Sequence, residues 1–373
     1  MNIASRTILL LAVVIFAALT GMAHALVYIS TGDSTFNTTA PGGTRANSGW
    51  QWQGSWGGFL GTPIGPHHFI TAAHVGGSTN QMFQLNGVNY QPLETFDDPE
   101  TDLKIWRISG TFPSYAAVYQ ATNELGKTLV VFGRGAGRGM DVSVTNSGTV
   151  KVQGWQWGAN EGRLRWGANV VSSIRAGGTG IGSLLRATFD AAGGTYEAHM
   201  AGGDSGGAVF IQESGTWKLA GINFAVDGRF NHTDSGAGFD GALFDSGGLF
   251  VGSQAYWHFT TNQSTDIPSG FYATRISQRI TWITCVLNQS ACTDATVQLT
   301  SVRQVGTDLA IEFNTIAGCR YQLERSDQLE GNSWINQGSR ITGTGNTMTV
   351  IDAKASGATG RFYRIRTVDC ATN

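Results

Sequence analysis

From about Gly49 to Val226 the chain alternates short apolar runs with clusters of Gly, Asn and Ser, the texture of an antiparallel β protein. The runs FLGTPIG, HHFITAA, FQLNGVNYQPL, DLKIWRI, TLVVFG, GAVFIQ and WKLAGINFAV each read as a strand or a hairpin. The segment TRISQRITWITCVL (274–287) breaks this pattern. Its Ile276, Ile280, Ile283 and Leu287 recur at three- and four-residue steps, which predicts an amphipathic helix. Past Cys292 the strand texture returns in VQLTSV, DLAIEF, RYQLERS, SWINQG, TMTVID and RFYRIRTV. Six or seven short strands in so few residues predict a small β-sandwich over 296–373, joined to the rest by a linker at 288–295.

Composition agrees with a loop-rich β protein. Charged residues make up 13% of the chain, about half the ~25% of an ordinary soluble protein. The 52 glycines are roughly twice the usual ~7% share, and glycine is costly inside helices. A net charge of -2 offers no electrostatic footprint for nucleic acid.

The N-terminus bears on the compartment. Arg6 precedes the apolar run TILLLAVVIFAAL, and Ala23-His24-Ala25 supplies a small-x-small cleavage site. Residues 1–25 are therefore expected to be a signal peptide, with Leu26 as the mature N-terminus. No second apolar run is long enough to span a bilayer, so the mature chain is expected to be secreted or periplasmic and not membrane-spanning. Four cysteines follow late in the chain. An even number in an exported protein reads as disulfides, and pairing within local regions gives Cys285–Cys292 and Cys319–Cys370. Gly-Trp-Gln-Trp occurs at 49–52 and again at 154–157, an echo too short to establish two related half-domains.

The stretch AGGDSGGA (201–208) raises the chemical question. A serine hydroxyl is inert near neutral pH unless a base takes its proton and a third group orients that base. Two upstream segments offer those groups: FITAAHVGG, with His74, and ETDLKIWRI, with Asp102 opening an alternating strand. His67 and His68 lack that setting, and Asp97 and Asp98 sit in the turn-like FDDPE.

TAAH, DLKIWRI and GGDSGG, in that order, resemble the trypsin/chymotrypsin family of serine endopeptidases over roughly residues 45–287. The resemblance implies a chymotrypsin-like double antiparallel β-barrel closed by a C-terminal helix, spanning 26–287. It implies that Ser205 attacks the scissile carbonyl, that His74 carries the proton, and that Asp102 orients His74. It also implies that the amides of Gly203 and Ser205 face the oxyanion, that His199 forms the base of the specificity pocket, and that Phe224-Ala225-Val226 pairs with substrate. The implied partner is a protein or peptide substrate, cleaved by a monomer that needs no cofactor or metal.

Departures from the family pattern matter as much. Where many relatives carry cysteines after the histidine and before the serine, this chain has Val75 and Ala201, as in bacterial-type secreted members. Zymogen members bury a newly cut N-terminus, often Ile-Val-Gly-Gly, against the aspartate before the nucleophile. Asp204 holds that position, but LVYISTGD is only a loose counterpart. Asp204 is therefore expected to find another internal donor, without tryptic activation. His199 argues against a pocket selecting Arg or Lys, and the Gly- and Trp-rich segment 133–200 suggests insertions. Two rival readings remain: a catalytically silent homologue, and an adhesion or carbohydrate-binding protein acting through its C-terminal module, with Trp334 as a candidate sugar contact.

Overall fold

The computed structural model describes residues 25–146, 148–160, 162–288, 299–315, 319–328, 334–353 and 360–370. Most of the expected signal peptide and of the linker lie outside these residues.

Two seven-stranded antiparallel sheets carry the main body. In the first, Phe59–Gly65 pairs on one side with Gly54–Trp56 and on the other with His68–Ala72, which in turn pairs with Leu103–Ile108. Asn86 and Gly87, both at positive φ, make the two-residue turn that joins Phe83–Leu85 to Val88–Tyr90. Trp56, Phe69, Phe83, Trp106 and Phe112 fill the core of this sheet. In the second sheet, Thr128–Gly133, Ala208–Glu213, Thr216–Val226 and Gly270–Arg275 are successive neighbours. Val131, Val209, Ile211, Phe271 and Ala273 occupy its own core. A third cluster, including Leu60, Ile70, Leu103, Phe132, Phe210 and Leu219, is shared by the two sheets. Two curled sheets, each around its own core and sealed against one another, give the all-β double-barrel architecture expected from the sequence.

The helix is shorter than its periodicity suggests. Gly270–Arg275 is a strand, Ile276–Gln278 is a single 3-10 turn, and only Ile280–Leu287 is α-helical. Pairing with Ser183–Thr188 and Thr216–Val226 holds 270–275 extended, so tertiary pairing overrides the three- and four-residue repeat there. Trp282, Ile283 and Val286 of the helix enter the shared core. Arg279, just before it, donates to the fully buried Asp98 carboxylate at 2.6 and 2.7 Å.

Three expectations need revision or completion. The two Gly-Trp-Gln-Trp stretches are not equivalent: Trp50–Trp52 is a 3-10 turn, while 154–157 lies within the strand Thr149–Asn160. The suspected insertion is a long hairpin of Ala136–Asn146 and Thr149–Asn160, extended by Gly241–Leu243. Cys285 has no disulfide partner among the described residues, and its expected partner Cys292 lies outside them. Cys319 and Cys370, in contrast, are direct backbone partners, a register that suits a cross-strand disulfide.

The C-terminal strands form two three-stranded antiparallel sheets. Phe313, Met348 and Val350 from one, and Tyr321, Ile341 and Ile365 from the other, share one core, which makes a small sandwich. Trp334 is half-buried with the Arg364 guanidinium 4.4 Å from its ring centroid, so that ring face is already occupied.

Beside the second sheet, burial raises the Glu197 pKa to about 8, opposed by the Asp190 backbone N–H. A carboxyl raised on folding stabilises fully below its unfolded value near 4.5, and this is lost as pH climbs through the folded value. Glu197→Gln should therefore flatten the fall in melting temperature between pH 5 and 8. Paired thermal melts across that range measure it, and identical slopes in the two proteins contradict it.

Candidate active site

His74 lies in a 3-10 turn, Ala73–Val75, that follows directly on the strand His68–Ala72. Asp102 immediately precedes the neighbouring strand Leu103–Ile108. Because these strands pair from Ala72↔Leu103 onward, the residues just beyond that pair must meet. Asp102 holds His74 at two points: Oδ1 accepts the His74 backbone N–H at 2.9 Å, and Oδ2 lies 2.5 Å from Nδ1. The Asp102 carbonyl also accepts the Ala73 N–H at 2.8 Å. Asp102 is mostly covered, with 12% side-chain exposure against 39% for His74. This is the geometry that fixes one imidazole tautomer, with the proton on Nδ1 and Nε2 left to accept. His74 Nε2 and Ser205 Oγ are not hydrogen-bonded to each other among the described residues, a looseness common in sites without substrate.

Ser205 sits in the turn leading into Ala208–Glu213 of the second sheet. Its neighbour Gly206, at φ +74, packs so closely on Thr71 and the Leu60 carbonyl that a side chain there would overlap the first sheet. That contact brings the serine turn to the seam where His74 stands. Two hydrogen bonds then set the direction of the amides. The Gly202 carbonyl accepts the Ala136 N–H at 2.8 Å, so across the trans peptide the Gly203 N–H points the opposite way. The Asp204 carbonyl accepts from Asn223 Nδ2 at 2.9 Å, and the Ser205 N–H is turned away from it by the same rule. Gly203 is at φ +94, which a residue with a side chain adopts only at a cost.

Beneath the turn, Asp204 is fully buried. Its carboxylate accepts the Gly135 N–H at 2.7 Å and the Ala201 N–H at 2.8 Å. Burial raises its pKa to about 7, while hydrogen bonds from the backbone of Gly135, Ala201 and Leu26 pull the other way. Internal donors were expected, and Gly135 and Ala201 supply two. The third, Leu26, is the residue just past the expected cleavage site. Ala25, Leu26 and Val27 are wholly buried, and Leu26 is held at φ +56. Val27–Tyr28 pairs with Ala198–His199, and Arg165 clasps the segment through the carbonyls of Ala25, Asp33 and Phe36. Sequence alone hid this arrangement, because only the fold brings Leu26 to Asp204.

The residues expected on the substrate side divide. Phe224, Ala225 and Val226 are half-exposed at the end of strand Thr216–Val226, and the Phe224 ring lies edge-on to His74 at 6.0 Å. Between Asn223 and Ala225 the ladder to Gly270–Arg275 slips by one residue, so Phe224 is the bulged position. His199 is not at the floor of an open pocket: it is wholly buried. Its Nδ1 lies 2.6 Å from the Met200 carbonyl, and its ring stands edge-on to Phe189 and Phe271. Burial lowers its pKa to about 4, which keeps it neutral. The residues set aside on sequence grounds lie in other settings. His67 contacts the Gly110 carbonyl, His68 is buried with its pKa lowered to about 4, chiefly by desolvation, and Asp98 pairs with Arg279.

No protein-family model matches the chain, and no curated protein matches it. Among solved structures, neuropsin, a serine protease expressed in the limbic system of mouse brain, aligns with 15% identity and a TM-score of 0.40. The alignment covers 65% of this chain and 97% of that one.

Proposed function

We propose that the protein is an exported serine endopeptidase that cleaves peptide bonds through an acyl-enzyme. The observation that carries this reading is the two-point hold of Asp102 on His74, set at the seam against the Ser205 turn. In this reading His74 Nε2 takes the Ser205 proton as Oγ attacks, and returns it to the leaving amine. Asp102 steadies the imidazolium without itself becoming protonated. The N–H groups of Gly203 and Ser205 receive the developing oxyanion, where one donor is worth ~10²–10³ in rate. Water then deacylates the enzyme through the same base. Phe224-Ala225-Val226 is the edge offered to the acyl half of the substrate. The missing cysteines at Val75 and Ala201 favour a bacterial-type secreted member, and the Cys319–Cys370 register favours a disulfide in the C-terminal module.

Maturation follows from the same reading. Removal of residues 1–25 turns the Leu26 amide, already directed at Asp204, into a charged α-amine. The buried carboxylate then gains a cation, and Leu26 is freed from its left-handed constraint. Signal removal alone would complete the site. A mature form extended by one uncleavable residue before Leu26 should lose about 10²-fold in kcat/KM, about the worth of one oxyanion donor. Steady-state kinetics with N-terminal sequencing tests this, and full activity of the extended form would refute it.

A further inference from the structure

Arg134 is set apart from three other covered arginines of the double barrel. Arg186, Arg275 and Arg279 each hold a carboxylate at 2.6 Å. Arg134 is half-buried, and among the described residues it has no carboxylate partner. Its Nε and Nη2 donate to the Gly162 carbonyl at 3.2 and 2.9 Å, and Nη1 donates to Ser55 Oγ at 2.6 Å. Three of the five guanidinium N–H groups are thereby used, and two remain to donate. A half-buried cation without a counter-ion is unfavourable unless an anion arrives.

Its location says where that anion comes from. Gly133 and Gly135, on either side of Arg134, press on Asp204 and on the backbone of 202–204 so closely that neither has room for a Cβ. Across the contact, Asn160 Oδ1 accepts the Gly162 N–H at 3.1 Å, and its Nδ2 lies 2.9 Å from where a Cβ on Gly203 would be. Ser55 pairs with Leu60, whose carbonyl abuts Gly206. Arg134 therefore reaches from the second sheet to the first beside Gly203, whereas strand Thr216–Val226 meets the same turn through Asn223 and Gly206. If the acyl half of a substrate lies along 224–226, the leaving half passes Arg134.

We propose that Arg134 recognises a substrate carboxylate on the leaving-group side of the scissile bond. Cleavage would then be favoured where an Asp, a Glu or the chain's own C-terminal carboxylate follows within two residues. This rests on the peptidase reading above. A planar guanidinium suits a carboxylate better than an ammonium does, and such charge-assisted bonds are the strong ones.

The test uses quenched fluorescent peptides and the mature full-length protein. One set carries Asp or Glu against Asn or Gln at the first and second leaving-side positions. A second set ends there as free acid or as amide, which separates a side-chain carboxylate from a terminal one. The wild type should prefer a carboxylate in at least one set by about tenfold or more in kcat/KM, most strongly at low salt. R134Q should lose that ratio and R134K should keep only part of it. Because the ratio is internal to each enzyme, a general loss of activity does not imitate it. Equal rates for the wild type in both sets overturn the proposal whatever the variants do, as does an unchanged ratio in R134Q. Fluorophosphonate labelling separates the two levels: a protein that neither labels nor cleaves fails as a peptidase, and one that labels but shows no preference refutes only the role of Arg134.

Discussion

Ser205→Ala should lower peptide hydrolysis by about 10⁶-fold, with the protein still folded. The size follows from the three groups acting as a unit. Without Oγ there is no nucleophile for His74 to activate, so the imidazole and Asp102 lose their purpose together. What remains is the catalysis of two N–H donors and a bound substrate, ~10³–10⁴ over water. The substitution removes a single oxygen from a half-exposed position and leaves the Gly202–Ala136 and Asp204–Asn223 contacts in place. Thermal melting should therefore be nearly unchanged. Residual turnover within a factor of ten of the wild type would mean that the hydrolysis arises elsewhere.

Asp102→Asn should cost about 10⁴-fold in kcat at neutral pH, the second largest effect expected. The carboxylate accepts twice from His74, at the backbone N–H and at Nδ1. An Asn amide can keep one acceptor on the backbone N–H, but it then presents its NH₂ to the ring. The ring must answer with an unprotonated Nδ1, which moves the proton to Nε2, the atom needed as base. The variant is thus nearly isosteric yet carries the wrong tautomer. Burst kinetics with an ester substrate would show the loss in acylation. A fall of less than tenfold would remove Asp102 from the proposed mechanism.

These residues were legible in the sequence because each lies in a short local motif next to a dense apolar strand. FLGTPIG, HFITA and LKIWRI became strands at the expected positions, and the pairing of the last two suffices to bring His74 to Asp102. Features decided by distant partners were not legible. The same four residues, Gly-Trp-Gln-Trp, are a turn at 49–52 and a strand at 154–157, because only the second has strands on both sides. The helix lost its first residues to a sheet that needed Gly270–Arg275 as a central strand. The family resemblance implies His199 as the pocket base, yet pairing of Ala198–His199 with the N-terminal strand places it among Phe189 and Phe271. Leu26 at Asp204 and Arg134 beside Gly203 are likewise products of the fold, for nothing local to either residue announces its role.

The proposed nucleophile is tested most directly by mapping a fluorophosphonate adduct on the mature protein by mass spectrometry. One adduct on Ser205 is expected, lost in Ser205→Ala and formed far more slowly in Asp102→Asn. A mature, folded protein with no adduct, or with the adduct on a different serine, would contradict the peptidase reading.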